Sequence, residues 1–218
     1  MTQPEPHCAA PSLWPRTDYA LPGRSMVQDL QEVVAGQTQQ PFARVILDLC
    51  GGSGSWSRPY REAGYDVKVV TLPGMDVRLL RFSGPVHGIL AAPPCTVFAS
   101  SGARWPRTNE QYIEALSVVD ACLRAVTVYR PKWWALENPV GKLVRWLGPP
   151  RMYFQPWEYG DAYTKRTALW GEFNEPERAP VAPVEKSPIH YMPPSPERAA
   201  LRSITPAGFA NAFFNANP

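Results

Sequence analysis

Residues 45–56 have the sequence VILDLCGGSGSW, and this segment sets the class of fold. Its first five residues are apolar apart from Asp48, which predicts a buried strand. The glycines that follow, Gly51, Gly52 and Gly54, predict a tight loop whose free N–H groups can face a ligand before a helix begins. Their spacing matches neither the dinucleotide fingerprint nor a P-loop. The loop can therefore bind a nucleotide-like ligand, and the alternative is a tight turn that binds no ligand.

Further strands are predicted where short apolar runs end in polar residues or prolines, at residues 66–71, 86–90 and 133–136. Helices are predicted over residues 23–36, from the glycine loop to about 63, over about 109–129, and after Thr205, which we expect to be an N-cap with Pro206 as the first helical residue. A turn feeding a further strand is expected over residues 159–170. Strands that alternate with helices predict an α/β fold with a doubly wound, mostly parallel sheet.

The amino-acid composition limits the classes of protein to which the chain can belong. The 218 residues are 44% hydrophobic, enough for one packed domain. We expect a proline-rich arm at 1–22, one domain over 23–218, and a proline-rich connector at 172–198 within it. The net charge of +3 permits nucleic-acid binding without requiring it. Four widely spaced cysteines, with no metal-ligand pattern, predict a reducing compartment and no bound metal.

No apolar run is long enough to span a membrane, and no signal peptide is recognisable. We therefore expect a soluble, cytoplasmic protein, and a monomer.

Cys95 follows the predicted strand at 86–90 and the pair Pro93-Pro94. Two prolines end the strand's hydrogen-bonding ladder, so Cys95 should lie on a rigid loop at the carboxyl end of the strand, where open α/β sheets bind ligands. A thiol held there can act as a nucleophile. The alternative is a small buried residue, which is common for free cysteine.

Three segments in this order resemble the S-adenosylmethionine-dependent cytosine-5 DNA methyltransferases: DLCGGSG at 48–54, PPC at 93–95 and ENP at 137–139. The resemblance covers roughly residues 44–170, and RSITP at 202–206 is similar to the family's penultimate motif. It implies the Rossmann-like fold of S-adenosylmethionine-dependent methyltransferases in one domain.

The resemblance also implies catalytic roles. The Cys95 thiolate would add to C6 of cytosine, and Glu137 would contact N3. Addition at C6 makes C5 nucleophilic and moves negative charge toward N3. An acid beside N3 can neutralise this charge, and a desolvated carboxyl can act as that acid. Asn138 would hold the loop or the base edge, and Arg166 resembles a later arginine motif near the base and its phosphate. An ion-paired carboxylate at Glu137 and a solvated Arg166 are the alternatives.

For the cofactor, S-adenosylmethionine, the resemblance implies that the glycine loop wraps the methionine part, that Asp48 fixes this loop and that Asp76 bonds the adenine amino group. Its expected contacts are Asp48, Gly51, Gly52, Gly54, Trp56, Asp76 and Pro93, although core packing explains Trp56 equally well. Two positions depart from the family: Cys50 replaces a phenylalanine, and Thr71-Leu72 stands where an acid usually binds the ribose.

The connector at 172–198 is too short for the family's target-recognition domain. The resemblance implies DNA as substrate with a base extruded from the stack, as in a minimal, phage-like enzyme. The expected substrate contacts are Pro94, Ser100, Arg104, Arg107 and Lys165, in part on the loop that contains Trp105. The alternatives are a free cytidine nucleotide such as dCMP, or a degenerate methyltransferase fold that binds nucleic acid or a partner. Residues 23–27 loosely resemble the family's last motif, and an ordinary packing helix explains them equally well.

Overall fold

A mixed six-stranded sheet forms the centre of the computed structural model, which describes residues 44–102, 104–184, 192–193, 195 and 197–218. The predicted arm at 1–22 and the predicted helix at 23–36 lie outside these residues. The strands are β1 (Val45–Leu49), β2 (Asp66–Val70), β3 (Gly88–Ala91), β4 (Trp133–Pro139), β5 (Met152–Phe154) and β6 (Thr167–Glu172).

The strand order is β2-β1-β3-β4-β6-β5. The pairs β1–β2, β1–β3 and β3–β4 are parallel, whereas β6 is antiparallel to both of its neighbours, β4 and β5. The α/β class and the mostly parallel sheet are confirmed, with an antiparallel part at one side that the sequence pattern did not predict.

Five α-helices accompany the sheet in the described part of the chain: α1 (Arg58–Glu62), α2 (Asn109–Tyr129), α3 (Val144–Leu147), α4 (Arg198–Ser203) and α5 (Ala207–Ala216). Helix α2 has the predicted bounds and begins with a capping box between Thr108 and Gln111. Helix α1 also lies where it was predicted. The short elements α3, α4 and β5 were not predicted, because fewer than two turns or four residues leave no readable period.

Both faces of the sheet are covered. One face packs on α2 through residues such as Val119 and Ala125. The other packs on α1 and α5, through Tyr60, Phe209 and Phe213. Strands covered on both faces are mostly apolar, which explains why β3 and, apart from Asp48, β1 were recognisable as short apolar runs.

Two predicted boundaries are wrong. Thr205 does not cap α5: the N-cap is Pro206, and the buried Thr205 instead donates its backbone N–H to Ser55 Oγ at 3.0 Å. A residue before proline is pushed out of helical geometry, so the chain is still extended there. In addition, β4 continues beyond residue 136 through Glu137 and Asn138, because β6 pairs with this segment.

No helix within the described ranges is long and apolar enough to cross a membrane. The same residues contain no cluster of three or more His, Cys, Asp or Glu side chains suited to a metal ion.

Candidate active site

The carboxyl ends of three parallel strands meet at one edge of the sheet. Leu49 at the end of β1 pairs with Ala91 of β3, and Ala91 pairs with Leu136 of β4. The segments that follow are the glycine loop after β1 and the Pro93-Pro94-Cys95 loop after β3. They therefore lie beside the last residues of β4. This is the edge at which open parallel sheets bind ligands.

A cavity of about 100 Å³, called the inner cavity here, opens between these segments. The predicted site residues that line it are Asp48, Gly51, Gly52, Trp56, Pro93, Pro94, Cys95, Glu137, Asn138 and Lys165. The thiol and the carboxyl expected to act on one base thus belong to residues of the same cavity wall.

The loop that carries Cys95 is held by hydrogen bonds on both sides. The Cys95 carbonyl accepts the backbone N–H groups of Phe98 at 3.0 Å and Ala99 at 2.9 Å. On the other side, Asn138 donates its amide Nδ2 to the Pro93 carbonyl at 3.0 Å in a buried contact. Asn138 therefore ties the end of β4 to the Cys95 loop, which fits the expectation that it holds this loop.

The Cys95 side chain is partly buried among charges of both signs. Burial raises the pKa of its thiol, and the nearby Glu137 carboxylate raises it further. Lys165 and Arg202 oppose these effects and lower the same pKa. A ligand that placed positive charge near Cys95, or that separated Cys95 from the Glu137 carboxylate, would therefore favour the thiolate form of Cys95.

Glu137 is 8% exposed. Burial raises the pKa of its carboxyl, and the Lys165 ammonium partly offsets this rise. Within the described part of the chain its side chain forms no hydrogen bond. A buried carboxyl with a raised pKa is more often protonated near neutral pH, so it can donate a hydrogen bond into the cavity.

Asp48 is a second buried carboxyl on the same wall. Burial raises its pKa to about 6, although Ser57 and Arg61 act in the opposite direction. Ser57 donates its hydroxyl to Oδ2 at 2.5 Å. A Cβ at Gly51 would overlap the Asp48 carboxyl, so only glycine allows the loop to pass this closely.

Three polar atoms of residues on this wall are buried and have no hydrogen-bond partner among the residues that the structure describes: Asp48 Oδ1, Trp56 Nε1 and Asn138 Oδ1. Such atoms are rare in folded proteins, and a bound ligand or water commonly satisfies them. Most of the Trp56 ring lies in the core: it is 2% exposed, with ring centroids 5.5 Å from Phe213 and 6.2 Å from Phe209. Core packing and cavity lining therefore both apply to Trp56.

A larger cavity of about 700 Å³, the β2 cavity, lies beyond the end of β2. It shares Cys50, Ala92, Pro94 and Ser203 with the inner cavity. Its wall includes Thr71, Leu72 and Asp76. The Asp76 carboxylate caps a short 3₁₀ helix, Val77–Leu79, and is bound by the Arg78 guanidinium at 2.6 Å.

On the opposite side, the outer cavity has a volume of about 640 Å³ and shares Cys95 and Lys165 with the inner cavity. The other predicted residues on its wall are Pro94, Ser100, Arg107 and Arg166. Several have fixed positions: Ser100 donates its hydroxyl to the Val140 carbonyl at 2.8 Å, and Lys165 Nζ donates to the Ile204 carbonyl at 3.2 Å. The Arg166 guanidinium lies 4.7 Å from the ring centroid of Tyr153.

Two predicted contacts do not line any of these three cavities. Gly54 is buried within the loop, where its N–H donates to the Gly51 carbonyl at 2.8 Å and its φ is 68°. Arg104 is exposed and lies beside the Trp105 ring, at 5.1 Å from its centroid. The turn accounts for Gly54. Arg104 lies in the chain between Gly102 and Arg107, which both line the outer cavity.

Sequence reasoning did not assign a role to Arg202 and Ser203, at the end of α4. Ser203 lines all three cavities, and Arg202 lines the inner and outer ones. The RSITP resemblance at 202–206 was the available signal, but it did not indicate which side chains face the site.

Comparisons with known proteins found a structural similarity but no match to a family model or a curated protein. Among solved structures, the chain is similar to a prophage-encoded E. coli protein provisionally described as a DNA modification methyltransferase. The identity is 18% and the TM-score 0.41, over 59% of this chain and 46% of the other, so this chain spans about half of that protein's length.

Proposed function

We propose that this protein is an S-adenosylmethionine-dependent methyltransferase that modifies C5 of cytosine in DNA, with Cys95 as nucleophile. One observation carries the proposal: Cys95 and Glu137 line the same inner cavity, between two larger cavities that share its walls. A transfer reaction needs this arrangement, because donor and acceptor must approach one reacting centre from different sides.

The inner and β2 cavities fit the cofactor. The unpartnered Asp48 Oδ1 and the close Gly51 backbone suit the polar methionine end, and the volume of the β2 cavity lies in the usual range of small-molecule sites. Asp76 lies on that wall, and its carboxylate can accept an adenine amino group beside the Arg78 contact. When bound, S-adenosylmethionine would supply an electrophilic methyl group.

Cys95 and Glu137 would act on opposite parts of the cytosine ring. The Cys95 thiolate forms a bond to C6, and the electron pair of the C5–C6 bond is pushed toward C5 and the N3 side of the ring. Burial raises the pKa of Glu137 and so favours its protonated form, from which it can donate a proton to N3 and remove that charge. After methyl transfer, which would leave S-adenosylhomocysteine, loss of the C5 proton to water and departure of the Cys95 thiolate restore the C5–C6 double bond, and N3 returns its proton to Glu137.

The substrate would enter from the outer cavity. Arg107, Lys165 and Arg166 line it, and Arg202 lies on the wall it shares with the inner cavity. Lys165 is also close enough to lower the pKa values of Cys95 and Glu137. It can therefore favour the thiolate at the moment of attack.

A mechanism-based probe tests this function. Incubation with S-adenosylmethionine and DNA that contains 5-fluorocytosine should give a covalent adduct at Cys95, located by mass spectrometry, because fluorine blocks loss of the C5 substituent. Cys95→Ala should form none, and Cys122→Ala, which removes a buried thiol of α2, should form it normally. Absence of the adduct with the wild-type protein would contradict the proposal.

The same experiment addresses the other two candidates. A fluorinated free nucleotide, in place of DNA, should give no adduct; labelling by that nucleotide alone would indicate a nucleotide-modifying enzyme. A protein that also fails to bind S-adenosylmethionine at millimolar concentration in calorimetry would be a non-catalytic binding module.

A further inference from the structure

The outer cavity carries charge of one sign. Among the described residues that line it, four are cationic and none is acidic: Arg107, Lys165, Arg166 and Arg202. A concave wall of this kind focuses a positive potential and attracts polyanions. Phosphates of a nucleic-acid strand are the anions that several separated cations fit best.

Residues 104–106, called the rim here, lie in the chain between two residues that line this cavity, Gly102 and Arg107, and include an exposed tryptophan, Trp105. The Trp105 backbone N–H donates to the carbonyl of Gly102, a lining residue, at 3.1 Å, and Arg107, two residues further on, also lines the cavity. The Trp105 side chain is 56% exposed. The Arg104 guanidinium lies 5.1 Å from its ring centroid and adds a cation to the same rim.

Trp105 differs from the other strongly exposed tryptophan of the described chain. Trp146, 43% exposed, packs against Phe98 and Tyr112 with ring centroids 5.6 and 5.5 Å away. Trp105 forms no contact with another aromatic ring in the described residues, so its ring is not part of a packed cluster. A large flat apolar side chain left in solvent beside cations is suited to stacking on a nucleic-acid base.

We propose that the outer cavity and the Arg104–Trp105 rim bind single-stranded DNA, with the cations on phosphates and Trp105 stacked on an unpaired base. The proposal rests on the function proposed above and adds to it the form of the substrate. Paired bases in a duplex are already stacked, so Trp105 could contact them only after the duplex opened. Stacking and phosphate contacts do not depend on base identity, so the protein would select unpaired strands without selecting a sequence.

Binding measurements test this without the methyl-transfer reaction. Fluorescence anisotropy would follow a labelled single strand of about 12 nucleotides, within the usual site size, and the same sequence as a duplex. The wild-type protein should bind the single strand more tightly. Trp105→Ala should weaken that binding by about 5- to 150-fold, the usual loss for one stacked base, and Trp105→Phe should stay close to wild type.

Two variants separate stacking from charge and from general damage. Trp146→Ala removes an exposed tryptophan of similar size away from the rim and should bind the single strand as the wild type does. Arg166→Gln should lower the slope of log affinity against log salt by about 0.7, the value for one lost single-strand phosphate contact. An unchanged slope would remove Arg166 from the strand-binding surface.

Equal affinity of Trp105→Ala and the wild type for the single strand would overturn the stacking role. Tighter binding of the duplex, or of an RNA strand of the same sequence, would overturn the choice of single-stranded DNA. These failures are distinguishable from failure of the proposed function. The 5-fluorocytosine adduct depends on Cys95 and not on Trp105, so either result can occur without the other.

Discussion

Asp48 and Glu137 are two buried carboxyls on the wall of one cavity, and they differ in what surrounds them. Asp48 accepts a hydrogen bond from Ser57 and has Gly51 pressed against it, so its oxygens help to shape the glycine loop. Glu137 forms no side-chain hydrogen bond in the described structure and has Lys165 as its charged neighbour. Burial raises both pKa values, but Ser57 holds one oxygen of Asp48, whereas no described group hydrogen-bonds the Glu137 carboxyl. The comparison shows that a raised pKa alone does not identify the acid of a reaction.

Glu137→Gln gives the largest expected effect. It keeps the size of the side chain and removes its proton donor, so turnover at saturating cofactor should fall by about 10²–10⁴, the usual contribution of a general acid. Transfer of tritium from labelled S-adenosylmethionine to DNA measures this. Asp48→Asn should act mainly on the concentration of cofactor needed for half-saturation. Turnover of Glu137→Gln within tenfold of wild type would remove the distinction between the two carboxyls.

Asp48→Asn should change how stability depends on pH. Between about pH 4 and 6 the folded chain holds a proton on Asp48 that the unfolded chain has lost, because folding raises this pKa from 3.8 to about 6. The wild-type free energy of unfolding, relative to Asp48→Asn, should therefore fall by about 2 kcal/mol as pH rises from 4 to 7, and stay constant above that.

Urea unfolding of both proteins at several pH values measures this difference. Ser57→Ala supplies the control: it removes a hydrogen bond that lowers the Asp48 pKa, so the fall should continue to higher pH. A difference between wild type and Asp48→Asn that did not vary with pH would show that Asp48 folds in its ionised form.

The smallest expected effect concerns the reactivity of the thiol. Glu137 raises and Lys165 lowers the pKa of Cys95, so alkylation of Cys95 by iodoacetamide should begin at lower pH in Glu137→Gln and at higher pH in Lys165→Gln. Mass spectrometry of the Cys95 peptide separates it from the other cysteines. Shifts of both variants in the same direction would contradict the arrangement of charges around Cys95.

Much of the parallel part of the sheet could be predicted, because β1 and β3 are covered on both faces and so appear as apolar runs. The antiparallel part could not. Strand β5 has three residues, and whether β6 pairs with β4 depends on contacts between distant segments. The same pairing extends β4 through Glu137 and Asn138, which the sequence pattern had placed after the strand.

Among the candidate site residues, those next to a recognisable strand end were predictable, and Arg202 and Ser203 were not. They belong to a six-residue helix without a readable period, and they reach the site only because the chain returns to it after the connector. Cavity volumes, the Asp48–Ser57 contact and the exposure of Trp105 also depend on packing between segments far apart in the chain.

The amino-acid sequence alone determined where β1, β2 and β3 lie and that the glycine loop and Cys95 follow two of them, since local apolar runs, glycines and prolines encode these features. Only the tertiary structure decided that Cys95 and Glu137 line one cavity, that three cavities adjoin there, and that Ser57 binds Asp48 while no described group hydrogen-bonds Glu137. Distances, desolvation and hydrogen-bond partners are properties of segments brought together by folding, and no local pattern specifies them.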